Sequence, residues 1–483
     1  MLKRIVLFLI SILLIFNFTA CSSDIVNENN ENDEEDSLEI EKDASLEVWI
    51  MKNSKNSQKD FMNLIKPFLR KNPHIKVNTT VIEWNQALLK ITDAAKNDKM
   101  PDVVQLDMEW VAAISSLDVL ADVSGVINTG DFVKASLDVT NIKGEEKITA
   151  VPWFLDTKVL FYRKDACEMA EVDASRDFST WNTFKESLKK LNKLEIGDEE
   201  IAALGAFGGK DLNPVDDFSW WIYSAGGNFL NPDGTKSAFN SPKVLEGIKF
   251  YSELALEGLI DRESLEKTYE EVEDMFIEGK YATAFLALSA VNKLESLVEK
   301  ESDEEETEED SLTDNIGVAM VPAGPEGRVS FLGGSFLAVS KSSENLDDAK
   351  ELIKFLASED AQIDYAKVTG KLPALKKACE NPFIKDHPMR GVFKEQLEYG
   401  RAYPAIPLWG PVKVCLNDAI KKIWDNVLNN NEDAYSFSHT EIIAEDTEKL
   451  INMVLGHEEE IEEPEEESKE ESKEESKEES KEE

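Results

Sequence analysis

Histidine and cysteine are scarce in this chain of 483 residues, with four of each. His74, His387, His439 and His457 stand far apart, and neither HExxH nor GxSxG occurs, so two widespread hydrolase signatures are missing. Cys21, Cys167, Cys379 and Cys415 form no CxxC or CxxH, which removes the usual zinc and redox frameworks. With Cys21 modified, the three remaining thiols allow at most one disulfide, and the sequence does not choose the pair. Basic residues are also in deficit, 53 Lys and Arg against 97 Asp and Glu, and no basic patch marks a nucleic-acid partner. Beyond the N-terminus no apolar run approaches ~20 residues, which argues against a channel or permease.

The formal charge of −44 is concentrated. Residues 24–43 hold ten acids and one lysine, residues 299–310 nine acids and one lysine, and residues 457–483 sixteen glutamates and four lysines. Such segments cannot bury a core and read as solvated tether, loop and disordered tail. A calcium site in the 299–310 run has no EF-hand spacing or glycine turn to support it. At the N-terminus, Lys3 and Arg4 precede a twelve-residue apolar run, Ile5–Phe16, too short for a comfortable span. Phe18-Thr19-Ala20-Cys21 follows, which resembles a bacterial lipoprotein signal. The expectation is an export signal over 1–20, a lipid on Cys21, and an acidic linker over 21–43.

Between these segments strands and helices alternate. LEVWIM (46–51), KVNTTVIE (76–83) and VVQLD (103–107) read as strands. Gln58–Arg70 and a run capped by Asn85 through Lys96 read as helices. This alternation predicts an α/β lobe with a largely parallel sheet. Ligands of such sheets sit beyond the carboxyl ends of strands. Trp84, Asp107, Glu109 and Trp110 fall there. The stretch ITAVPWFLDTKVLFYR (148–163) is an apolar strand interrupted by Trp153 and Asp156, and suits a chain passing from one lobe to a second across a cleft. Further on lie Trp220-Trp221, a Gly333-Gly334-Ser335 strand entry where backbone must come close to something, and the apolar loop Tyr403–Trp409. Helices are expected over 184–194, 272–277, 347–357, 392–397, 412–428 and 442–455, and from Pro242.

These residues resemble the family 1 extracellular solute-binding proteins, the sugar-receptor lipoproteins of ABC importers. The segments that carry the resemblance are PDVVQLDMEWVAAISSLDVLADVS from Pro101, AVPWFLDTKVLFYRKD from Ala150, FNSPKVLEGIKFYSELALEGLI from Phe239, MFIEGKYATAFLA from Met275, GGSFLAVSKSSENLDDAKELIKFL from Gly333 and GRAYPAIPLWGPV from Gly400. Their order spans about residues 46–455. The resemblance implies a two-lobed periplasmic-binding-protein-like (type II) fold with a ligand cleft between lobes joined by hinge crossings. Lobe I would comprise 44–151 and 322–369, and lobe II 152–321 and 370–456. Trp84, Asp107, Glu109, Trp110, Trp153, Asp156, Trp220, Trp221, Gly334, Ser335, Tyr403 and Trp409 would line or flank the cleft. Where the family commonly has Asp-Thr-Arg, this chain has Asp156-Thr157-Lys158, losing a planar fork, so Lys158 is not counted as a ligand contact.

Aromatic faces and carboxylates suit the C–H faces and hydroxyl rim of a sugar. The expected protein is therefore a monomeric, lipid-anchored receptor on the outer face of the cell membrane. It binds a carbohydrate, an oligosaccharide, and serves ABC permease subunits. It has no catalytic residues, metal, cofactor or nucleic-acid partner. The competing readings are a same-fold receptor for a polyamine or other cation, a surface glycoside hydrolase, and an adhesin.

Overall fold

The computed structural model describes residues 43–140, 147–208, 210–211, 213–301, 314–430 and 435–457. The expected export segment 1–20, Cys21 and the expected linker through Lys42, the acid run from Ser302 and the tail from Glu458 lie outside the described residues. Thirteen strands are used below: β1 (Ala44–Met51), β2 (Ile75–Ile82), β3 (Val103–Asp107), β4 (Val151–Asp156), β5 (Lys158–Arg163), β6 (Leu194–Ile196), β7 (Glu199–Gly205), β8 (Tyr281–Ala287), β9 (Ile316–Ala319), β10 (Ser330–Phe331), β11 (Gly333–Val339), β12 (Leu372–Pro373) and β13 (Gly400–Arg401).

The alternation of β1 sets the first core. Ala44, Leu46, Val48 and Ile50 are buried while Ser45 and Glu47 are exposed, the period of two of a strand. β1 pairs in parallel with β2 and β3. The sheet continues β12-β4-β11-β3-β1-β2. β11 enters between β3 and β4 antiparallel to both, and β12 is antiparallel to β4. The sheet is therefore mixed, not largely parallel, because a strand returning from the second lobe inserts into it. Asn85 does not cap the helix Trp84–Lys96; Glu83 occupies that position without a side-chain bond.

The second sheet has the order β6-β7-β8-β5-β9. β5 shows both of its faces at work. Val159 and Phe161 enter the core shared with the first sheet, and Leu160 enters the separate core of the second lobe. That second core also takes the helices Val215–Ser224, Pro242–Leu256 and Trp409–Asn429.

The chain changes sheet at Thr157, between β4 and β5. It returns between β10 and β11, and leaves again after β12. The expected boundaries at 151/152, 321/322 and 369/370 each fall short of these points, since Pro152–Asp156 and Leu372–Pro373 are still laddered into the first sheet. Thr157 is fully buried. Its hydroxyl donates to the Phe331 carbonyl at 2.6 Å and lies 3.0 Å from Ser330 Oγ. β10 in turn pairs in parallel with β13.

Gly334 explains the glycine pair. Its φ is +154°, and a Cβ there would meet the Phe154 carbonyl oxygen at 2.5 Å. The approach is to β4 itself, beside a register shift at Ser335/Phe336, and only glycine fits. The three described thiols, Cys167, Cys379 and Cys415, are free.

Candidate functional site

The ends of β3 and β4 carry acids, and the second lobe brings cations and rings to meet them. Asp107 closes β3 and accepts the Glu109 backbone N–H at 2.9 Å. Burial pushes its carboxyl up to about 6, against the pull of that N–H and of Lys413. Glu109 accepts from Lys413 Nζ at 2.6 Å, and the same ammonium lies 2.9 Å from Asp216. Burial raises Glu109 to about 8 despite Lys413, with Asp216 and Asp107 adding to the rise. Burial alone would lower Lys413; the carboxylates of Asp216 and Glu109 outweigh it and hold the ammonium above its ordinary range. Tyr403 donates to Asp216 at 2.7 Å, with Lys413 over its ring at 5.1 Å. Lys413 and Asp216 belong to the second lobe and Glu109 to the first, so this cluster ties the lobes together.

Trp84 and Trp110 stand beside it, half-buried, with ring centroids 6.0 Å apart. Trp84 Nε1 donates to the Lys52 carbonyl at 3.2 Å. This leaves apolar ring surface next to the acids of the β3 end.

Two cavities adjoin the cluster. One, of about 210 Å³, is lined by residues including Asp156, Lys158, Phe207, Asp211, Asp216 and Tyr269. Lys371 holds Asp156 at 2.5 Å. The other, of about 440 Å³, runs from Asp138 of the first lobe to Tyr223, Asn228 and Arg401. Arg401 stacks 4.0 Å from the Tyr223 ring centroid and donates to Asn228 Oδ1.

Of the expected site residues, Asp107, Glu109 and Tyr403 meet around Lys413 and Asp216, Asp156 lines the smaller cavity, and Trp84 and Trp110 pack on each other after the ends of β2 and β3. The others lie elsewhere, and burial is the reason. Trp153 is 1% exposed and stacks on Tyr365 at 4.4 Å, with Phe61 edge-on at 6.2 Å, inside the first core. Trp220 and Trp221 are buried in the second core, Trp221 stacked on Tyr251 at 5.1 Å. Trp409 is buried beneath Tyr403, stacked at 4.7 Å, and supports the site from behind. Ser335 is fully buried and accepts from Gln105 Nε2 at 2.8 Å; Gln105 Oε1 accepts from Asn53, which also donates to Tyr365. Gly334 contributes backbone packing against β4.

Lys413, Asp216, Lys371 and Arg401 are not among the residues that the sequence marks as site candidates. A signal for Lys413 existed: it stands four residues after Trp409, on the same helix face. For Asp216 the signal needs burial. Every residue of the helix Val215–Ser224 is buried except Asp216.

Two α/β lobes, each on its own sheet and joined by crossings, with cavities lined by acids and rings, define the class of two-lobed, hinge-joined ligand-binding proteins. The chain belongs to the family described as bacterial extracellular solute-binding protein, whose model matches residues 52–363. The diacetylchitobiose binding protein DasA of Streptomyces coelicolor is 26% identical over 397 residues, 76% of this chain and 82% of that protein. The galactooligosaccharide-binding protein of Bacillus subtilis is 22% identical over 394 residues, 78% of this chain and 84% of that protein. Among solved structures, the sugar-binding protein MalE of Xanthomonas citri matches with a TM-score of 0.71 at 21% identity, covering 85% of this chain and 97% of that one. The GacH receptor of Streptomyces glaucescens, solved unliganded and with acarbose, matches with a TM-score of 0.69 at 21% identity, covering 86% and 99%.

Proposed function

We propose that the protein captures a carbohydrate, an oligosaccharide, by closing its lobes on it and delivers it to an ABC importer without chemical change. The observation that carries this reading is the meeting of Glu109 of the first lobe with Lys413 and Asp216 of the second, beside a cavity lined by Asp156 and Asp216, with the half-exposed rings of Trp84 and Trp110 following the ends of β2 and β3. Flat rings cover sugar C–H faces, and carboxylates accept hydroxyl hydrogens. The larger cavity, of about 440 Å³, has the volume for more than one sugar ring. The names of the relatives DasA and the galactooligosaccharide-binding protein support the same ligand class, and a relative from Deinococcus radiodurans is named a probable ABC transporter-binding protein. Ligand that touches both lobes only when they are closed shifts the population toward closure.

The sequence Phe18-Thr19-Ala20-Cys21 after a charged and apolar leader supports a lipid anchor at Cys21 on the outer face of the membrane. Cys21→Ser is expected to release the protein from the membrane fraction.

The test of ligand class is a thermal-shift screen of the purified chain with mono- and oligosaccharides and with spermidine, since a ligand of the folded form raises its melting temperature. Oligosaccharides are expected to raise it and to be recovered intact. A rise with spermidine alone overturns the reading, and new reducing ends would indicate a hydrolase.

A further inference from the structure

Lys158 begins β5, at the hinge, and its side chain is 12% exposed. Its ammonium lies 4.1 Å from the Phe207 ring centroid, 5.1 Å from Tyr269 and 5.5 Å from Trp220. Asp217 stands 3.6 Å away, behind the rings, where the Tyr251 hydroxyl also donates to it. Three aromatic faces and a carboxylate are the arrangement that recognises an ammonium group. In this chain the ammonium in the box belongs to the protein. Lys158, Phe207 and Tyr269 of this box line the 210 Å³ cavity, with Trp220 and Asp217 buried behind them.

We propose that Lys158 is a specificity-determining residue. By filling the aromatic box with the protein's own ammonium, it bars cationic ligands from this cavity and makes the wall a donor to neutral hydroxyl groups. The second half of this inference rests on the carbohydrate reading above.

The charges of the cavity point the same way. Asp156 is held by Lys371 at 2.5 Å, and Asp216 by Lys413 at 2.9 Å and Tyr403 at 2.7 Å. Asp211 accepts backbone N–H groups from Asn213 at 2.9 Å and Tyr269 at 3.1 Å. Each acid on the wall thus has a donor already, and the acidic composition does not make the cavity a cation trap. A polyamine offers donors only and meets the Lys158 ammonium head-on. A hydroxyl accepts from an ammonium and donates to a carboxylate at once. The Lys158–Asp217 distance of 3.6 Å is long for a hydrogen bond, which leaves N–H capacity for a ligand oxygen.

The inference is tested by emptying the box. Lys158→Ala leaves the three rings and Asp217 in place, and n-butylammonium chloride supplies the missing group. The full chain, wild type, Lys158→Ala and Lys158→Arg, is melted with n-butylammonium chloride against sodium chloride at equal ionic strength. The melting temperature of Lys158→Ala is expected to rise with n-butylammonium concentration, and those of wild type and Lys158→Arg to stay level. No rise in Lys158→Ala overturns the box. So does a rise in wild type, a result readable even where the variant does not fold. In a sugar titration, Lys158→Ala is expected to bind about tenfold or more weaker, the loss of one charged hydrogen bond; unchanged sugar affinity overturns the donor role. If no sugar binds wild type while butylammonium still rescues Lys158→Ala, the carbohydrate reading fails and the filled box stands.

Discussion

Lys413→Met probes the bond that spans the lobes. Lys413 is 9% exposed and Glu109 17%, and their contact is 2.6 Å. This is a short, charge-assisted hydrogen bond between a second-lobe helix and the end of β3. Bonds of this kind contribute about 1.5–3 kcal/mol. The low end applies here: burial opposes the charge on Glu109 and raises its pKa, so once Lys413 is removed the group can take up a proton instead of standing charged and alone. About 2 kcal/mol is then about a 30-fold shift of the closed-to-open ratio in the ligand-free protein. The second bond, to Asp216, lies within one lobe, so its loss lowers the melting temperature without favouring either lobe arrangement. The assay is single-molecule distance measurement between labels on the two lobes, for wild type, Lys413→Met, Glu109→Gln and the double variant. The expected outcome is a more open distribution in each single variant and little further change in the double. An unchanged distribution in Lys413→Met, or a coupling below about 0.5 kcal/mol, refutes the bridge.

Three other outcomes follow from the placement of particular side chains. Trp84→Ala and Trp110→Ala are expected to weaken oligosaccharide binding about tenfold or more while leaving the melting temperature within a few degrees, read by calorimetry and thermal melting, because both rings are half-exposed. Trp153→Ala is expected to cost about 3–5 kcal/mol of stability, read by urea denaturation, since the ring is buried and stacked on Tyr365; a folded variant of wild-type stability that no longer binds sugar would return Trp153 to the site. Burial raises Asp107 and Asp217 to about 6 and Glu109 to about 8. The folded chain therefore holds protons that the unfolded chain has released, and stability falls as pH rises from about 4 to about 8. Glu109→Gln should flatten the upper part of that decline, and a melting temperature that climbs between pH 5 and pH 8 would contradict the assignment.

The order of the strands was legible because apolar and β-branched runs bounded by turns are local features; LEVWIM, VVQLD and KVLFYR all fall within observed strands. Sheet direction was not legible, because β11 reaches the first sheet from more than two hundred residues beyond β3 and no local pattern records its insertion. The helix Glu359–Thr369 has no clear apolar stripe and so no periodic signal in the sequence. Asp107 and Asp156 close β3 and β4, where the geometry of α/β sheets leads one to look for ligand groups. Trp153, Trp220, Trp221 and Trp409 lie in the cores instead, because a ring at a strand or helix position serves a core as readily as a cleft. Trp220 and Trp221 stand side by side on a helix buried on nearly every face, something only the packing reveals. Lys158 lacks the guanidinium fork yet stands at the cavity, because its partners Phe207, Asp217 and Tyr269 lie about fifty residues or more further along the chain.

The tie between Thr157 and Phe331 governs how the molecule can move. Two strands cross between the lobes at one place, and a buried hydroxyl fastens the first to the carbonyl of the second. Leu332 N–H donates to the Arg401 carbonyl at 3.1 Å, adding β13 as a third rail. Crossings fastened side by side resist sliding and leave torsion about a single line as the soft coordinate. Opening is then a swing with one degree of freedom. Dye pairs placed anywhere across the cleft, near the mouth or near the axle, will report different amplitudes but the same midpoint in a ligand titration.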